Sequence, residues 1–472
     1  MTDICLYAQV HQPYRLNRYR LFDIGSGLDY FDDEANAEIL RRVAAKCYIP
    51  ANRLLAREIR RSGGRFKLAL SLSGTLLEQL ATWAPDALAS FQDLVDTGGA
   101  EILGETYCHS LAGLVDEAEF TAQVSSHRRL IELMFGRRPH VFRNTELIYW
   151  DSLAPIVQRL GYRGMLVEGA DRALGWRSPN HVYAAAAAPA LRLLPRNYRL
   201  SDDVGFRFSE RSWAEWPLTA TKHADWLAAA PGDSVHLFLD YETFGEHQWA
   251  ETGIFEFLTH WPNECFTRGL EFVHPSELAR RCPVGTLSFP TPTSWADQER
   301  DTSAWLGNRL QDAAHERLYL VGTAVKATGE AALLDQWRRL TTSDHVYYMC
   351  TKWLADGDVH KYFSPFDSPY DAFIAFMNVL EDLEQRAGNF AARAGVSSGQ
   401  EAHSSGDSAC LTFAAEKPPA WRTVLPGACG DRTYPSASGE PSARTTASTA
   451  RLGTISHTTT REAARTAGAR TA

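Results

Sequence analysis

The sequence predicts an α/β protein: a β/α barrel of seven or eight units followed by a C-terminal α-helical bundle. Over about the first 275 residues, short apolar runs alternate with longer stretches in which apolar residues recur every three or four positions. This alternation indicates parallel strands covered by helices. Polar residues directly follow six of the apolar runs, and in such folds the strand ends on one side form the active site.

The apolar runs predict eight strands and the three- to four-residue periodicity predicts six helices. The strands are Ile4–Val10, Phe66–Ser71, Ile102–Thr106, Val141–Thr145, Met165–Glu168, Leu191–Leu194, Val235–Asp240 and Phe272–Val273. The helices cover 33–60, 115–134, 295–315, 328–340, 343–355 and 368–394. We therefore expect a catalytic barrel over 1–275 and an α-helical bundle over 276–395 that completes the active site.

The last segment, residues 396–472, differs in composition from the rest of the chain. It is rich in Ser, Thr, Ala, Gly, Pro and Arg and has little apolar periodicity. Such a segment buries too little apolar surface to offset the entropy lost on ordering, so we expect a disordered low-complexity tail. A frameshifted reading of the gene would give the same pattern.

Composition excludes several classes of protein and partner. A formal net charge of −9 disfavours a nucleic-acid partner, which would require a basic surface. The eight cysteines include no CxxC pair, which disfavours a thiolate zinc site, a redox pair and a disulfide framework. We find neither a signal peptide nor an apolar run of the roughly 20 residues that a membrane span needs. The sequence therefore predicts a cytoplasmic protein with no membrane partner, and leaves the oligomeric state open.

Two carboxylates at predicted strand ends are the best candidates for catalysis of glycosidic bond cleavage, which usually needs a pair. Glu146, in FRNTELIYW, ends one apolar strand, and the nearby Arg143 and Asn144 could keep it ionised. Asp240, in VHLFLDYETFGEH, ends another strand in surroundings that suit a partly desolvated acid. Glu242 would share the face of Asp240 if the strand continued, so the pattern alone leaves these two unresolved. The other strand-end carboxylates are Glu101, Glu105, Glu168 and Glu246.

The histidines allow two interpretations besides that of ordinary core residues. His11 and His109 follow neighbouring strands and could bind hydroxyl groups. Together with Asp240 and His247 they could in principle bind zinc. No HExxH or comparable ligand pair accompanies them, so no metal site is predicted.

Five motifs occur in order: HQP at 11–13, GAEILGETYCHSL at 99–111, FRNTELIY at 142–149, FLDYETFGEHQW at 238–249 and TTSDHVYYM at 341–349. With them, residues 1–390 resemble glycoside hydrolase family 57 and, within it, the α-amylase group. The resemblance implies a (β/α)7 barrel with a C-terminal α-helical bundle, a retaining mechanism and no cofactor. It also implies that Glu146 is the nucleophile and that Asp240 is the acid/base. The substrate-binding residues would be His11, Gln12, His109, Glu242, His247, Trp249, Trp295, Asp344, His345 and Tyr348.

The predicted function is hydrolysis of α-1,4 bonds in an α-glucan or maltooligosaccharide. A 4-α-glucanotransferase or a branching enzyme would use the same residues with a sugar as acceptor instead of water. Two interpretations from other classes remain, a metal-dependent polysaccharide deacetylase and a glucan-binding protein without catalytic activity.

Overall fold

A computed structural model describes residues 2–352 and 364–400. Residues 353–355 of the predicted helix 343–355 lie outside these ranges. The predicted tail lies outside them from residue 401 onward.

All eight predicted strands are present, with ends that differ by up to four residues, and the predicted strand Ile102–Thr106 overlaps the observed one only at Ile102. The strands are β1 (Asp3–Val10), β2 (Leu68–Leu72), β3 (Ala100–Ile102), β4 (Val141–Arg143), β5 (Gly164–Glu168), β6 (Tyr183–Ala185), β7 (Ala188–Arg196), β8 (Ser234–Asp240), β9 (Glu271–Phe272) and β10 (Thr286–Leu287). The sequence analysis missed β6 and β10. Both are too short for a periodic signal, and β6 lies in a run of alanines that shows no alternation.

Seven of the strands form one closed barrel. Strands β3-β2-β1-β8 form one parallel run and β7-β5-β4 another. Gly104, just after β3, joins them on one side, donating from its N–H to the Val141 carbonyl (2.9 Å) and accepting from the Arg143 N–H (2.8 Å). On the other side the Asn197 N–H donates to the His236 carbonyl at 2.8 Å. The predicted (β/α)7 barrel is thereby confirmed. Strand β9 pairs with the start of β1, and β6 pairs antiparallel with β7.

Helices cover the barrel and continue beyond it. They are α1 (Asp33–Val43), α2 (Ile49–Arg61), α3 (Gly74–Trp83), α4 (Pro85–Asp96), α5 (Glu117–Phe135), α6 (Leu153–Arg159), α7 (Asp171–Leu174), α8 (Tyr198–Gly205), α9 (Ala220–Ala229), α10 (Ile254–Thr267), α11 (Pro275–Leu278), α12 (Arg309–Thr328), α13 (Ala331–Leu340), α14 (Ser343–Tyr347) and α15 (Pro369–Gln400). The predicted helix 33–60 corresponds to α1 and α2, joined by a π-helical turn over Ala44–Tyr48.

The predicted helix 295–315 is wrong over its first two thirds. Residues 295–308 form a loop, in which Asp297 and Arg300 have left-handed backbone conformations that a helix does not contain. Helix α12 begins only after Asn308, whose side chain accepts hydrogen bonds from the N–H groups of Leu310 and Gln311. This loop, called here the 295–308 loop, contacts the candidate active site.

The C-terminal helices share one apolar core. Helices α12, α13 and α15 contribute Leu318, Val321, Trp337, Phe376 and Leu380, all buried. Burial of a large apolar side chain stabilises the fold by roughly 1.5–3 kcal/mol. No helix in residues 2–352 and 364–400 is long and apolar enough to span a bilayer.

A polar anchor ties the C-terminal helices to the barrel. The buried Glu78 carboxylate of α3 accepts hydrogen bonds from the Tyr14 and Tyr107 hydroxyls and from Arg339 of α13. Because a buried carboxylate that loses its partners is costly, this contact fixes α13 against α3.

Candidate active site

The backbone holds Glu146 in an uncommon conformation at the end of β4. A short 3-10 helix over Thr145–Leu147 follows the strand, and Glu146 within it has φ of 55°. A left-handed conformation costs a non-glycine residue on the order of 1–3 kcal/mol, so other contacts must hold it. The Ser294 hydroxyl (2.8 Å) and the Trp295 N–H (3.3 Å) both donate to the Glu146 carbonyl.

Two side chains donate hydrogen bonds to the Glu146 carboxylate. His109 Nε2 lies 2.9 Å from Oε1, and Trp295 Nε1 donates to Oε2 at 2.7 Å. The other ring nitrogen of His109, Nδ1, lies 3.1 Å from Oε2 of the fully buried Glu105. The Glu146 side chain remains 21% exposed, so a substrate can still reach the carboxylate.

The protonation states of Glu146 and His109 follow from these contacts. Burial alone would raise the pKa of Glu146, but the hydrogen bond and charge of His109, with the charge of Arg143 and the Trp295 donor, lower it to about 2. Burial opposes protonation of His109, yet its hydrogen bonds to Glu105 and Glu146 raise its pKa to about 9. At neutral pH the pair is therefore a carboxylate facing an imidazolium.

Asp240 has the opposite electrostatic surroundings. It ends β8 beside Gln9 of β1, and the residue is half-buried. Burial and the negative charge of Glu146 raise its pKa to about 6, and no hydrogen bond to this group is found within the described part of the chain. Asp240 can therefore hold a proton close to neutral pH while Glu146 is ionised.

Glu242 lies in a different environment from Asp240. Strand β8 ends at Asp240, and a 3-10 helix over Tyr241–Thr243 turns the chain, so the shared strand face considered in the sequence analysis does not form. The Tyr48 hydroxyl donates to Oε1 of the buried Glu242 at 2.5 Å, and the Gln12 side chain also contacts this carboxyl group. Burial raises the pKa of Glu242 to about 8, so it is largely protonated at neutral pH.

His11 and Asp344 form a second polar pair beside His109. The His11 ring stacks on His109 with centroids 4.1 Å apart. Its Nε2 lies 3.1 Å from Oδ2 of Asp344, and its Nδ1 lies 2.6 Å from the Ser73 hydroxyl. Burial lowers the pKa of His11, which favours the neutral ring. Asp344 remains 25% exposed, so its carboxylate can accept a hydrogen bond from a bound hydroxyl.

The sequence of the chain matches a known protein family over the barrel that carries this site. The family model described as "Glycosyl hydrolase family 57" matches residues 5–289, more than half of the chain. The chain belongs to glycoside hydrolase family 57. It is accordingly a glycoside hydrolase, and a carbohydrate is its substrate.

A curated relative and two solved structures resemble this family 57 chain. A protein of Methanocaldococcus jannaschii named "Putative alpha-amylase" is 44% identical over 392 residues, covering 80% of this chain and 83% of the relative. A branching enzyme of Pyrococcus horikoshii has a TM-score of 0.57 at 18% identity and covers 81% of this chain and 88% of its own. The 4-α-glucanotransferase of Thermococcus litoralis has a TM-score of 0.56 at 15% identity, covering 73% of this chain but only 56% of its own. The two structures support the fold alone.

The remaining predicted substrate-binding residues of this family 57 chain lie in varied surroundings. The His345 ring packs on Phe376 of α15, with centroids 5.7 Å apart. Tyr348 is buried in the core of the C-terminal helices. Trp249 is 57% exposed, and Lys46 Nζ lies 5.5 Å from its ring centroid. The half-buried His247 donates its backbone N–H to the Glu242 carbonyl at 2.8 Å. Of the ten, His109 and Trp295 contact Glu146 directly, and His11 and Asp344 adjoin them.

Sequence reasoning did not select a buried ion cluster beside Trp295. Glu168 at the end of β5 bonds Arg300 of the 295–308 loop (3.1 Å) and Arg196 of β7 (3.4 Å). Arg196 also bonds Asp202 at 2.5 Å. The position of Glu168 at the end of a predicted strand was a signal in the sequence for a residue near the active site. No such signal marks Arg300, because the contact with Glu168 forms only in the folded protein, across 132 residues of sequence.

The metal interpretation has no ready set of ligands in the described ranges. No group of three or more His, Cys, Asp or Glu side chains there is arranged to hold a metal ion. Both ring nitrogens of His11 and of His109 are in hydrogen bonds to neighbouring side chains.

Proposed function

We propose that this family 57 protein hydrolyses α-1,4-glucosidic bonds in glucans or maltooligosaccharides by double displacement, with Glu146 as nucleophile and Asp240 as acid/base. The observation that carries the proposal is the opposite shift of two carboxyl pKa values at one end of the barrel. Glu146 is held ionised with a pKa of about 2, whereas Asp240 retains a proton up to about pH 6. A nucleophile and a general acid require these two states.

In the first step the Glu146 carboxylate attacks the anomeric carbon while Asp240 donates its proton to the departing glycosidic oxygen. A glycosyl ester on Glu146 forms as the C–O bond to the leaving sugar breaks. The imidazolium of His109 and the indole N–H of Trp295 hold the carboxylate in place for this attack.

In the second step Asp240 acts as a base. Esterification removes the negative charge of Glu146, which is one cause of the raised Asp240 pKa. That pKa then falls, so Asp240 stays ionised and can take a proton from the water that attacks the anomeric carbon. Glu146 is released as a carboxylate, and its charge restores the raised pKa of Asp240.

The substrate class rests on the relative and on a hydroxyl-binding carboxylate. The relative named "Putative alpha-amylase" covers 80% of this chain at 44% identity. The partly exposed Asp344 carboxylate, held in place by His11, offers an acceptor to sugar hydroxyls.

Incubation with maltoheptaose tests the proposal. We expect reducing ends to rise with time, and NMR to show the α-anomer as the first product. Chain lengths that redistribute without new reducing ends would identify a 4-α-glucanotransferase, and new α-1,6 branches a branching enzyme. An initial β-anomer would refute the double displacement. Binding without turnover would leave a glucan-binding protein, and release of acetate from an acetylated polysaccharide would indicate a deacetylase.

A further inference from the structure

Arg143 is a fully buried cation whose guanidinium group makes no hydrogen bond to any described residue. It is the last residue of β4, and its side chain is 0% exposed. All three guanidinium nitrogens lack a hydrogen-bond partner among the residues that the structure describes. Since a buried charge without partners is costly, the surroundings of this one must compensate through charge and packing.

The charge of Arg143 acts on titratable groups that lie on, or just after, four strands of the barrel. Its charge acts on Tyr7 of β1, on Glu105 and His109 after β3, on Glu146 after β4 and on Asp240 of β8. It lowers the pKa of each of the three carboxyl groups. Arg143 therefore acts on both carboxylates of the proposed reaction without being bonded to either. The His109 imidazolium also lowers both pKa values, and Arg196 lowers that of Asp240.

The Trp295 indole holds the guanidinium group. Arg143 Cζ lies 4.9 Å from the Trp295 ring centroid, a distance at which a cation is attracted to the ring face. The same indole donates from Nε1 to Glu146. Arg143 thus supports the side chain that positions Glu146 as well as supplying charge.

We propose that Arg143 is a positioning residue whose unbonded charge, held against Trp295, favours the ionised form of whichever reacting carboxylate is in use: Glu146 before the glycosyl ester forms and Asp240 after it. This inference rests on the proposed double displacement. Once Glu146 is esterified, the positive charges of Arg143 and His109 are no longer balanced by it. In a partly desolvated site, that excess positive charge stabilises the Asp240 carboxylate which must act as base.

Arg196 provides a contrast that makes the inference testable. Its Cζ lies 5.6 Å from the same Trp295 centroid, but its guanidinium nitrogens bond Glu168, Asp202 and the Phe238 carbonyl. A planar fork in such a network cannot be replaced by an ammonium group. A charge that acts without hydrogen bonds can be replaced, so lysine should substitute for Arg143 but not for Arg196.

The experiment compares Arg143→Met, Arg143→Lys and Arg196→Lys with the wild type. The pH profile of kcat/KM is measured on a maltooligosaccharide, whose leaving alcohol needs the proton of Asp240, and kcat is measured on an aryl α-maltooligoside, whose leaving group needs little protonation. For Arg143→Met we expect the alkaline limb of the pH profile to move to higher pH by a unit or more. We also expect kcat for the aryl substrate to fall at least tenfold, because deglycosylation limits it. Arg143→Lys should keep the alkaline limb within about half a unit of the wild type, whereas Arg196→Lys should lose activity and stability.

Three results would overturn the inference: lower activity of Arg143→Met with an unmoved alkaline limb, Arg143→Lys as damaging as Arg143→Met, or Arg196→Lys as active as Arg143→Lys. If Arg143→Met does not fold, Arg143→Lys decides, since a displaced profile there contradicts a role through charge. Mass spectrometry of the wild type treated with an activated fluoro-glycoside tests the underlying mechanism separately. Absence of a Glu146 adduct would contradict the proposed function rather than the role of Arg143.

Discussion

His109 Nε2 lies 2.9 Å from Oε1 of Glu146, and both residues have left-handed backbone conformations, with φ of 52° and 55°. Two such non-glycine residues cost the fold on the order of 1–3 kcal/mol each. The cost is offset by contacts from other segments: the Ser343 N–H donates to the His109 carbonyl at 3.0 Å, and Ser294 holds the Glu146 carbonyl. The fold therefore stabilises a strained conformation that brings a cation to the proposed nucleophile.

Replacing His109 by glutamine should move the acid limb of the pH profile of kcat/KM to a pH at which the protein is still folded, so that the limb can be measured. The amide can still donate to Glu146 but carries no charge, so the pKa of Glu146 rises from about 2. Activity requires the ionised form, so kcat/KM should fall as the pH decreases through the raised pKa. The wild type should remain active to the lowest pH at which it stays folded.

His11→Gln is the matched control for His109→Gln. His11 stacks on His109 but does not bond Glu146. The His11→Gln variant should have a higher KM for maltooligosaccharides, but the acid limb of its pH profile should stay where it is in the wild type. If both variants moved that limb equally, the charge of His109 would not be what keeps Glu146 ionised.

Sequence reasoning predicted the barrel and the two candidate catalytic carboxylates, because the signals for them are local. An apolar strand ending in Glu146 or Asp240 is visible in a few consecutive residues, and the motifs carry the family resemblance. The contrast between Asp240 and Glu242 was not visible. It depends on a 3-10 turn and on the Tyr48 hydroxyl, 194 residues away from Glu242 in sequence.

The 295–308 loop shows a second limit of sequence reasoning. Its spacing of apolar residues favoured a helix, but long-range contacts override that preference. Trp295 bonds Glu146 and Arg300 bonds Glu168, across 149 and 132 residues. No local pattern encodes partners so far apart.

Asp240→Asn should remove the general acid and leave a defect that depends on the leaving group. We expect a loss of about 10²- to 10⁴-fold on maltooligosaccharides, whose leaving alcohol needs a proton. The loss in the first step should be much smaller for an activated aryl glycoside. A glycosyl-enzyme should accumulate on Glu146, and added azide should restore turnover and give an α-configured glycosyl azide. In the wild type, kcat/KM should fall as the pH rises through about 6, where Asp240 loses its proton.

Glu242→Gln is the comparison for Asp240→Asn. Because Glu242 is buried against Tyr48 and largely protonated at neutral pH, its amide analogue should lower activity about equally on both substrates. Azide should not rescue this variant. Azide rescue of Glu242→Gln but not of Asp240→Asn would instead make Glu242 the acid/base.

Dialysis against a strong chelator should leave activity unchanged. The ring nitrogens of His11 and His109 are in hydrogen bonds with Ser73, Asp344, Glu105 and Glu146, so a metal would have to displace these partners. The measurement is the specific activity on maltoheptaose before and after dialysis, with a zinc-dependent hydrolase as a control for metal removal. Activity that disappears and returns with added zinc would require a different mechanism.

The contact between Glu168 and Arg300 should determine how well the 295–308 loop holds Trp295 on Glu146. Glu168 is fully buried and bonds Arg300 at 3.1 Å. The Arg300 carbonyl accepts from the Ser294 N–H at 3.0 Å, directly before Trp295. Arg300→Met should therefore loosen the loop and weaken the Trp295 hydrogen bond to Glu146, so we expect kcat/KM to fall by tenfold or more. Glu168 keeps Arg196 as a partner, so the free energy of unfolding should decrease by only about 1–3 kcal/mol.

Lys352→Met is the matched control for Arg300→Met, because Lys352 also forms ion pairs with the 295–308 loop but is more exposed to solvent. Its Nζ lies 3.4 Å from Asp297 and 3.3 Å from Glu299, but the side chain is 27% exposed and such pairs contribute about 0–1 kcal/mol. A glutamate-specific protease should cleave after Glu299 faster in Arg300→Met than in Lys352→Met or the wild type, as followed by mass spectrometry. Equal cleavage rates in the two variants would mean that the buried ion pair does not hold the loop. If cleavage accelerated while kcat/KM stayed at the wild-type value, Trp295 would keep its place on Glu146 without Arg300, and the loop would not control the reaction.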